Sequence, residues 1–150
     1  MAEVDVQHPW LGTVRHHGEG RMLASIEIDP AVRPARMNGQ TDAEVLITVE
    51  PGLSGPALDA VLEMSAERIR IALADLDGIK VFALAHAPGS WRRHYEAVEG
   101  PPLEERLFLE GFAVTSPVEM EVAFDFGDLD MLVVRLDARG RGRDVRIGQE

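Results

Sequence analysis

The chain of 150 residues has no cysteine, one lysine and few aromatic residues. Without cysteine it can form no disulfide, no catalytic thiolate and no cysteine-ligated zinc or iron–sulfur centre. No apolar run approaches the roughly 20 residues that a membrane-spanning helix needs. The start, Met1–Asp5, carries acid where a secretory signal has a basic and then an apolar stretch. We therefore expect a single soluble, cytoplasmic domain, long enough to bury a substantial core.

Basic residues are scarce: 15 against 26 acidic ones, a formal charge of −11. The imbalance is concentrated between Glu96 and Asp130, where ten acids face one arginine, a net charge of −9. Such a surface repels a phosphate backbone, so we expect no nucleic-acid partner. A basic protein would instead be attracted, with faster encounter at low salt.

The final twenty residues have the opposite balance, with five arginines and three acids. Arg139–Arg143 alternates arginine with glycine and superficially resembles an RNA-binding tract. The tract is short, and no aromatic residue lies nearby to stack on a base. We interpret it as a turn between two strands.

Hydrophobic patterning predicts strands first, helices next and strands again. Met22–Ile28 and Glu44–Glu50 have the composition and alternation of strands. A long amphipathic helix begins around Ser54–Pro56 and is expected to end at the Asp77–Gly78 pair. A short second helix is expected over Ile79–Ala85, followed by an irregular connection from Ala87 to Pro102 in which Trp91 and Tyr95 face the core.

The second half turns to β-structure after one helical turn at Glu104–Arg106. The predicted strands are Leu107–Thr115 with a bulge at Gly111, Val118–Asp125, Leu132–Asp137 and Arg143–Ile147. The order of elements predicts a single α+β domain, residues 1–150. Its antiparallel sheet is expected to pack one long helix and a short second helix on one face.

The order of pieces, with His8-Pro9-Trp10-Leu11-Gly12 at the start and a Gly127-Asp128-Leu129 turn near the end, resembles a bacterial family of uncharacterised α+β domains. Some relatives of that family lie near polymorphic-toxin systems and are regarded as candidate immunity proteins. The resemblance covers about Pro9 to Gly148 and implies architecture more than chemistry. The family tends to have an aromatic pair and a histidine soon after the Gly-Asp-Leu turn. Here Asp130-Met131-Leu132 follows instead, so no role resting on that histidine carries over.

No motif for catalysis or cofactor binding stands out, so we expect a non-enzymatic protein without a cofactor. Ser54 lacks the glycine spacing of a nucleophile turn. Asp125, Asp128 and Asp130 gather at a turn, but their spacing does not match a calcium loop. His86 and His94 could converge with Glu96 or Glu99, although nothing local brings them together. A small metal- or ligand-binding domain therefore remains the alternative function.

The main functional hypothesis is a protein-binding domain, of the immunity-antidote kind, with an acidic face for a basic, toxin-like protein. The alternation around Val118, Met120 and Val122 predicts that Glu119 and Glu121 share the opposite, exposed sheet face. We expect reversal of these two charges to slow association at low salt. A homodimer through the arginine-rich edge strand Arg143–Ile147 is a further expectation. The residues predicted to form the acidic face are Glu104, Glu105, Glu119, Glu121, Asp125 and Asp128.

Overall fold

The computed structural model describes residues 5–18, 20–28, 42–100, 102–125 and 130–149. Its strands are β1 (Val6–His8), β2 (Gly12–His16), β3 (Arg21–Glu27), β4 (Asp42–Thr48), β5 (Phe108–Ser116), β6 (Glu119–Asp125), β7 (Asp130–Leu136) and β8 (Gly142–Gln149). Its helices are α1 (Gly55–Ala74), α2 (Leu76–His86), α3 (Gly89–Glu96) and α4 (Leu103–Arg106).

All eight strands form one sheet whose spatial order follows the chain, from β1 to β8. Six of the seven neighbouring pairs are antiparallel, but β4 and β5 run parallel. The prediction of a purely antiparallel sheet was therefore wrong. The reason is the single helical connection: four helices lie between β4 and β5, and a crossover of that kind returns the chain to the same end of the sheet.

One face of the sheet packs against these helices. Alternate residues along β3, β4, β6 and β7 are fully buried there, among them Met22, Ile47, Phe124 and Leu132. The same core includes Leu62 and other apolar residues of α1 and α2. Among the described residues no helix covers the other face, which we call the open face.

The helical layer differs from the expectation of one long helix and a short second one. The predicted helix over Ile79–Ala85 is confirmed as the core of α2, but the first helix ends at Ala74, before Asp77–Gly78. Asp75 separates the two helices. Its N–H donates to the Ala72 carbonyl, and its own carbonyl accepts the first hydrogen bond of α2, from the Ile79 N–H. Gly78 lies inside α2, where the Asp75 side chain packs so closely that a Cβ would clash with it.

The stretch predicted to be irregular contains a helix. α3 spans Gly89–Glu96 and buries Trp91 and Tyr95, as expected of those two side chains. The rings lie 4.9 Å apart at a tilt of 46°. The helix was missed because its apolar face is only these two aromatics, four positions apart, on an otherwise charged segment.

In the C-terminal half, the predicted helical turn, the four strands and the bulge are all confirmed. The β5–β6 register shifts between Leu109 and Gly111. A Cβ at Gly111 would collide with the Glu44 carbonyl of β4, so glycine permits the close approach of these two backbones. The arginine-rich segment Arg143–Ile147 lies within β8, at the edge of the sheet as predicted. No helix in the described part of the chain is long and apolar enough to cross a lipid bilayer.

Candidate functional site

The open face is built by strict alternation along the strands. In β6, Met120, Val122 and Phe124 point into the core while Glu119 and Glu121 lie on the opposite side. The prediction that these two glutamates share the sheet face opposite Met120 and Val122 is therefore confirmed. Val118 does not belong to the pattern: it sits in the preceding turn and is 61% exposed.

A groove of about 470 Å³ runs along the middle of the open face. Its apolar floor comes from five strands, β3 to β7, and consists of Leu23, Leu46, Ala113, Ala123, Met131 and Val133. Charged side chains border it, including Arg21, Glu44, Glu110, Glu121 and Arg146. We call these floor and border residues together the open-face groove.

Two of the predicted acidic residues are paired with arginines of the last two strands. Glu121 lies 2.7 Å from the guanidinium of Arg146, and Glu119 lies 3.4 Å from that of Arg135. Arg135 also bonds to Asp144. The acidic segment and the arginine-rich segment of the sequence thus meet across the sheet. Their opposite charges largely compensate one another there.

The other predicted residues do not join Glu119 and Glu121 in one cluster. Glu104 and Glu105 are exposed on α4, which contacts α2 in the helical layer. Asp125 ends β6 on the open face, opposite Met131 of β7. Asp128 lies outside the described residues. The structure therefore brings three of the six together on the open face, and two of those three are ion-paired with arginines.

The sequence analysis missed carboxylates at the other end of the open face. Glu27 on β3 and Glu44 on β4 are both exposed, and neither forms an ion pair with another described residue. Their neighbours Ile26 and Val45 point into the core. The period-two alternation of Met22–Ile28 and Glu44–Glu50 could have placed both glutamates on the exposed face of the sheet. The net charge of −9 between Glu96 and Asp130 favoured the C-terminal strands instead.

The open face as a whole keeps an excess of acid. Among the side chains that the structure describes, its positions on strands β2 to β8 hold eight carboxylates and four arginines, a net charge of −4. The carboxylates are Glu27, Asp42, Glu44, Glu110, Glu119, Glu121, Asp125 and Asp144; the arginines are Arg15, Arg21, Arg135 and Arg146. Three of these carboxylates and two of these arginines line the groove, so its border has a net negative charge.

The opening His-Pro-x-x-Gly segment has a structural role. The Nδ1 atom of buried His8 accepts hydrogen bonds from the backbone N–H groups of Trp10 and Leu11, at 3.0 and 3.1 Å. Its Nε2 atom consequently bears the proton and donates to Glu63 on α1, at 2.8 Å. Arg70 of the same helix lies over the Trp10 ring, 5.0 Å from its centroid. This first hairpin is thereby fastened to the helical layer.

The remaining histidines make separate contacts. His86 stacks on Phe82 at 4.2 Å, and His94 meets the edge of Tyr95 at 4.8 Å. Within the described ranges no three histidine or carboxylate side chains converge as metal ligands would. Of the Asp125–Asp130 turn, residues 126–129 and the Asp130 side chain lie outside the described residues.

No family model, curated protein or solved structure matches the chain. The resemblance to uncharacterised bacterial α+β domains therefore stays a prediction, and function must be argued from the chain's own geometry.

Proposed function

We propose that this chain is a non-enzymatic protein-binding domain that docks a basic protein on the open face of its sheet. The observation that carries the proposal is the combination of an apolar floor with a border of net negative charge. A sheet face left uncovered by helices ordinarily presents polar side chains to water. Here Leu23, Leu46 and Met131 are partly exposed at its centre, as at a surface that a partner covers.

The chemistry of the partner follows from the charge. Apolar contact in the groove would supply the buried centre of an interface, and the surrounding carboxylates would face lysine or arginine at its rim. The formal charge of −11 on the chain adds long-range attraction. A basic partner of the immunity–toxin kind fits both features.

The carboxylates that would carry the attraction are those without an arginine beside them. Within the described part of the chain Glu27 and Glu44 have no ion-pair partner, whereas Glu119 and Glu121 already pair with arginines on β7 and β8. An interface charge that is already paired gains less from a new partner than an unpaired one. We therefore assign the main electrostatic role to Glu27 and Glu44.

The test uses a pair of charge-matched double variants. The full chain is used to capture proteins from an extract of its source cell, and the most enriched basic protein is purified. Its association rate is then measured with the wild type, with E27K/E44K and with E104K/E105K. Both variants change the net charge equally, but only the first changes the open face. We expect E27K/E44K to slow association at low salt by at least about tenfold, and E104K/E105K to have a much smaller effect.

Three outcomes would contradict the proposal. One is that no basic protein is captured; another is that E27K/E44K associates at the wild-type rate. The third is equal slowing in both variants, which would indicate attraction by net charge without a defined face.

A small-ligand domain is the alternative, and the groove volume of about 470 Å³ favours it because ligand sites commonly span 300–1,000 Å³. A protein partner would bury the strand positions beyond the groove, including Glu27. A small molecule would contact the floor alone. The small-ligand function would be favoured if L46E abolished binding while E27K had no effect on it.

A further inference from the structure

A second concavity lies where the β7–β8 turn meets the β5–β6 turn, with a volume of about 510 Å³. It is far more basic than the rest of this acidic protein. Its lining includes four arginines and two carboxylates: Arg135, Arg139, Arg141, Arg143, Glu119 and Asp137. We call these six residues the arginine corner.

The two carboxylates of the arginine corner are already engaged. Glu119 pairs with Arg135, which in turn bonds to Asp144. Asp137 accepts hydrogen bonds from the backbone N–H groups of Arg139 and Arg141, at 2.9 and 3.0 Å. These two donors, that of Arg141 first, hold the pKa of Asp137 below its usual value. Asp137 therefore stays ionised while it shapes the turn.

Three guanidinium groups of the arginine corner are available to a ligand. Arg139, Arg141 and Arg143 are exposed, and none forms a direct ion pair with another described residue. Arg139 and Arg141 lie in the turn between β7 and β8, which is closed by the bonds from the Asp137 N–H to the Arg141 carbonyl and from the Gly140 N–H to the Asp137 carbonyl. Arg143 follows as the second residue of β8. The turn predicted for Arg139–Arg143 is confirmed over residues 139–141, whereas Gly142 and Arg143 begin β8. The three arginines line the same concavity, which concentrates positive charge in one place.

A buried arginine lies against the other turn of the arginine corner, between β5 and β6. Arg68 of α1 is 7% exposed, and its Nη1 atom donates to the carbonyls of Ser116 and Glu119 at 2.7 and 3.2 Å. Its Nε and Nη2 atoms are buried and bond to no described atom. Burial lowers the pKa of Arg68, and the charge of Asp137 opposes that effect, which indicates that the two lie within electrostatic reach. The corner therefore has a fixed cation behind it in a poorly solvated setting.

We propose that the arginine corner binds a small, multiply charged oxyanion, such as a phosphate-bearing or polycarboxylate molecule. Guanidinium groups present forked donors that match the oxygens of phosphate and carboxylate. A concavity of this size admits a small molecule. None of the described residues that line it is aromatic, which argues against single-stranded RNA because bases need a stacking surface.

The experiment is isothermal titration calorimetry of the full chain at low ionic strength, with pyrophosphate in one arm and citrate in the other. Four proteins are compared: the wild type, R141Q/R143Q, R141K/R143K and R15Q/R93Q. R15Q/R93Q, the control, also loses two positive charges, but at exposed positions on β2 and α3. Because the substituted side chains are exposed, thermal unfolding without ligand should be unchanged, which verifies folding.

We expect R141Q/R143Q to weaken binding of the preferred anion by at least about tenfold, since each charged hydrogen bond accounts for about that factor. R141K/R143K should be intermediate, because lysine keeps the charge but loses the fork. R15Q/R93Q should bind like the wild type. Preference for pyrophosphate or for citrate identifies the natural class as phosphate or carboxylate.

The proposal is overturned if neither anion binds, or if R141Q/R143Q binds like the wild type. It is also overturned if R15Q/R93Q loses as much affinity as R141Q/R143Q, since that would reflect diffuse charge. Tighter binding of a poly-glutamate peptide than of either small anion would assign the corner to an acidic protein segment instead.

Discussion

Glu121 on β6 and Arg146 on β8 form an ion pair at 2.7 Å across the intervening strand β7. They are 25 positions apart in the sequence, one in its most acidic third and the other in its arginine-rich end. Together with the Glu119–Arg135–Asp144 chain, this pair joins the last three strands on the open face. Negative charge in a sequence segment therefore does not amount to negative potential on the folded surface.

A double-mutant cycle measures how strongly this pair couples. We expect E121Q and R146Q to show a coupling of roughly 0.2–1 kcal/mol in urea unfolding at low salt, the range of partly exposed pairs. In 1 M NaCl the coupling should fall, because the Debye length is then about 3 Å. A coupling near zero at low salt would mean that the pair leaves Glu121 available to a partner.

His8 is expected to stabilise the first hairpin more than any exposed ion pair does. H8A removes the acceptor for the Trp10 and Leu11 N–H groups, so the free energy of unfolding should fall by about 2–3 kcal/mol. H8N should restore part of it, since an asparagine side chain can accept from backbone two residues on. E63Q is the control: the Glu63 side chain is 61% exposed, and its loss should be below about 1 kcal/mol. Equal effects of H8A and E63Q in urea unfolding would contradict this role.

Lys80, the only lysine, is 8% exposed on α2. Burial lowers its pKa, and nearby Asp77 opposes the shift only in part. The unfolded chain then holds the lysine proton more tightly, so stability should rise as pH increases through the folded-state pKa toward 10.5. K80M should be more stable than the wild type at pH 7, and the difference should shrink by pH 10. Urea unfolding at both values checks this; a constant difference would contradict it.

Asp137 also makes stability rise with pH, but in the acid range and through a favourable interaction. Its pKa is lowered by the backbone donors Arg141 and Arg139, so its contribution is complete above the ordinary value of 3.8. That contribution should disappear as pH falls through the lower folded-state pKa. D137N keeps an acceptor oxygen without the charge. The unfolding temperature of the wild type should be higher than that of D137N at pH 6, and the two should approach each other at pH 2–3. Thermal unfolding across this range measures the effect, with exposed Glu99→Gln as the control expected to track the wild type.

Local patterns were sufficient for most of the fold. Period-two alternation located β3, β4, β6 and β7, because each has one face in the core and one outside. Proline and glycine located the start of α1 and the bulge at Gly111. The parallel β4–β5 pair could not be predicted in this way, because it depends on where a helical crossover delivers the chain. The break at Asp75 was also hidden, since the apolar face of α1 continues into Leu76.

The candidate site was less predictable, for an electrostatic reason. The alternation of β6 placed Glu119 and Glu121 on the correct face, but their arginine partners come from β7 and β8, one and two strands further along the chain. Arg68 was equally hidden: it stands on the core side of α1 and reaches carbonyls of the β5–β6 turn, 48 and 51 positions away. Such pairings depend on strand order and register, which no single segment encodes.

The most direct test of the open-face proposal uses the methionine methyl groups as reporters. With 13C-methyl-methionine labelling, the purified basic partner is titrated into the wild-type chain and the NMR signals are followed. Met131 on the groove floor should shift or broaden strongly, while Met64 on α1, in the helical layer, should keep its position. The reverse pattern, with Met64 perturbed and Met131 unchanged at saturation, would contradict docking on the open face.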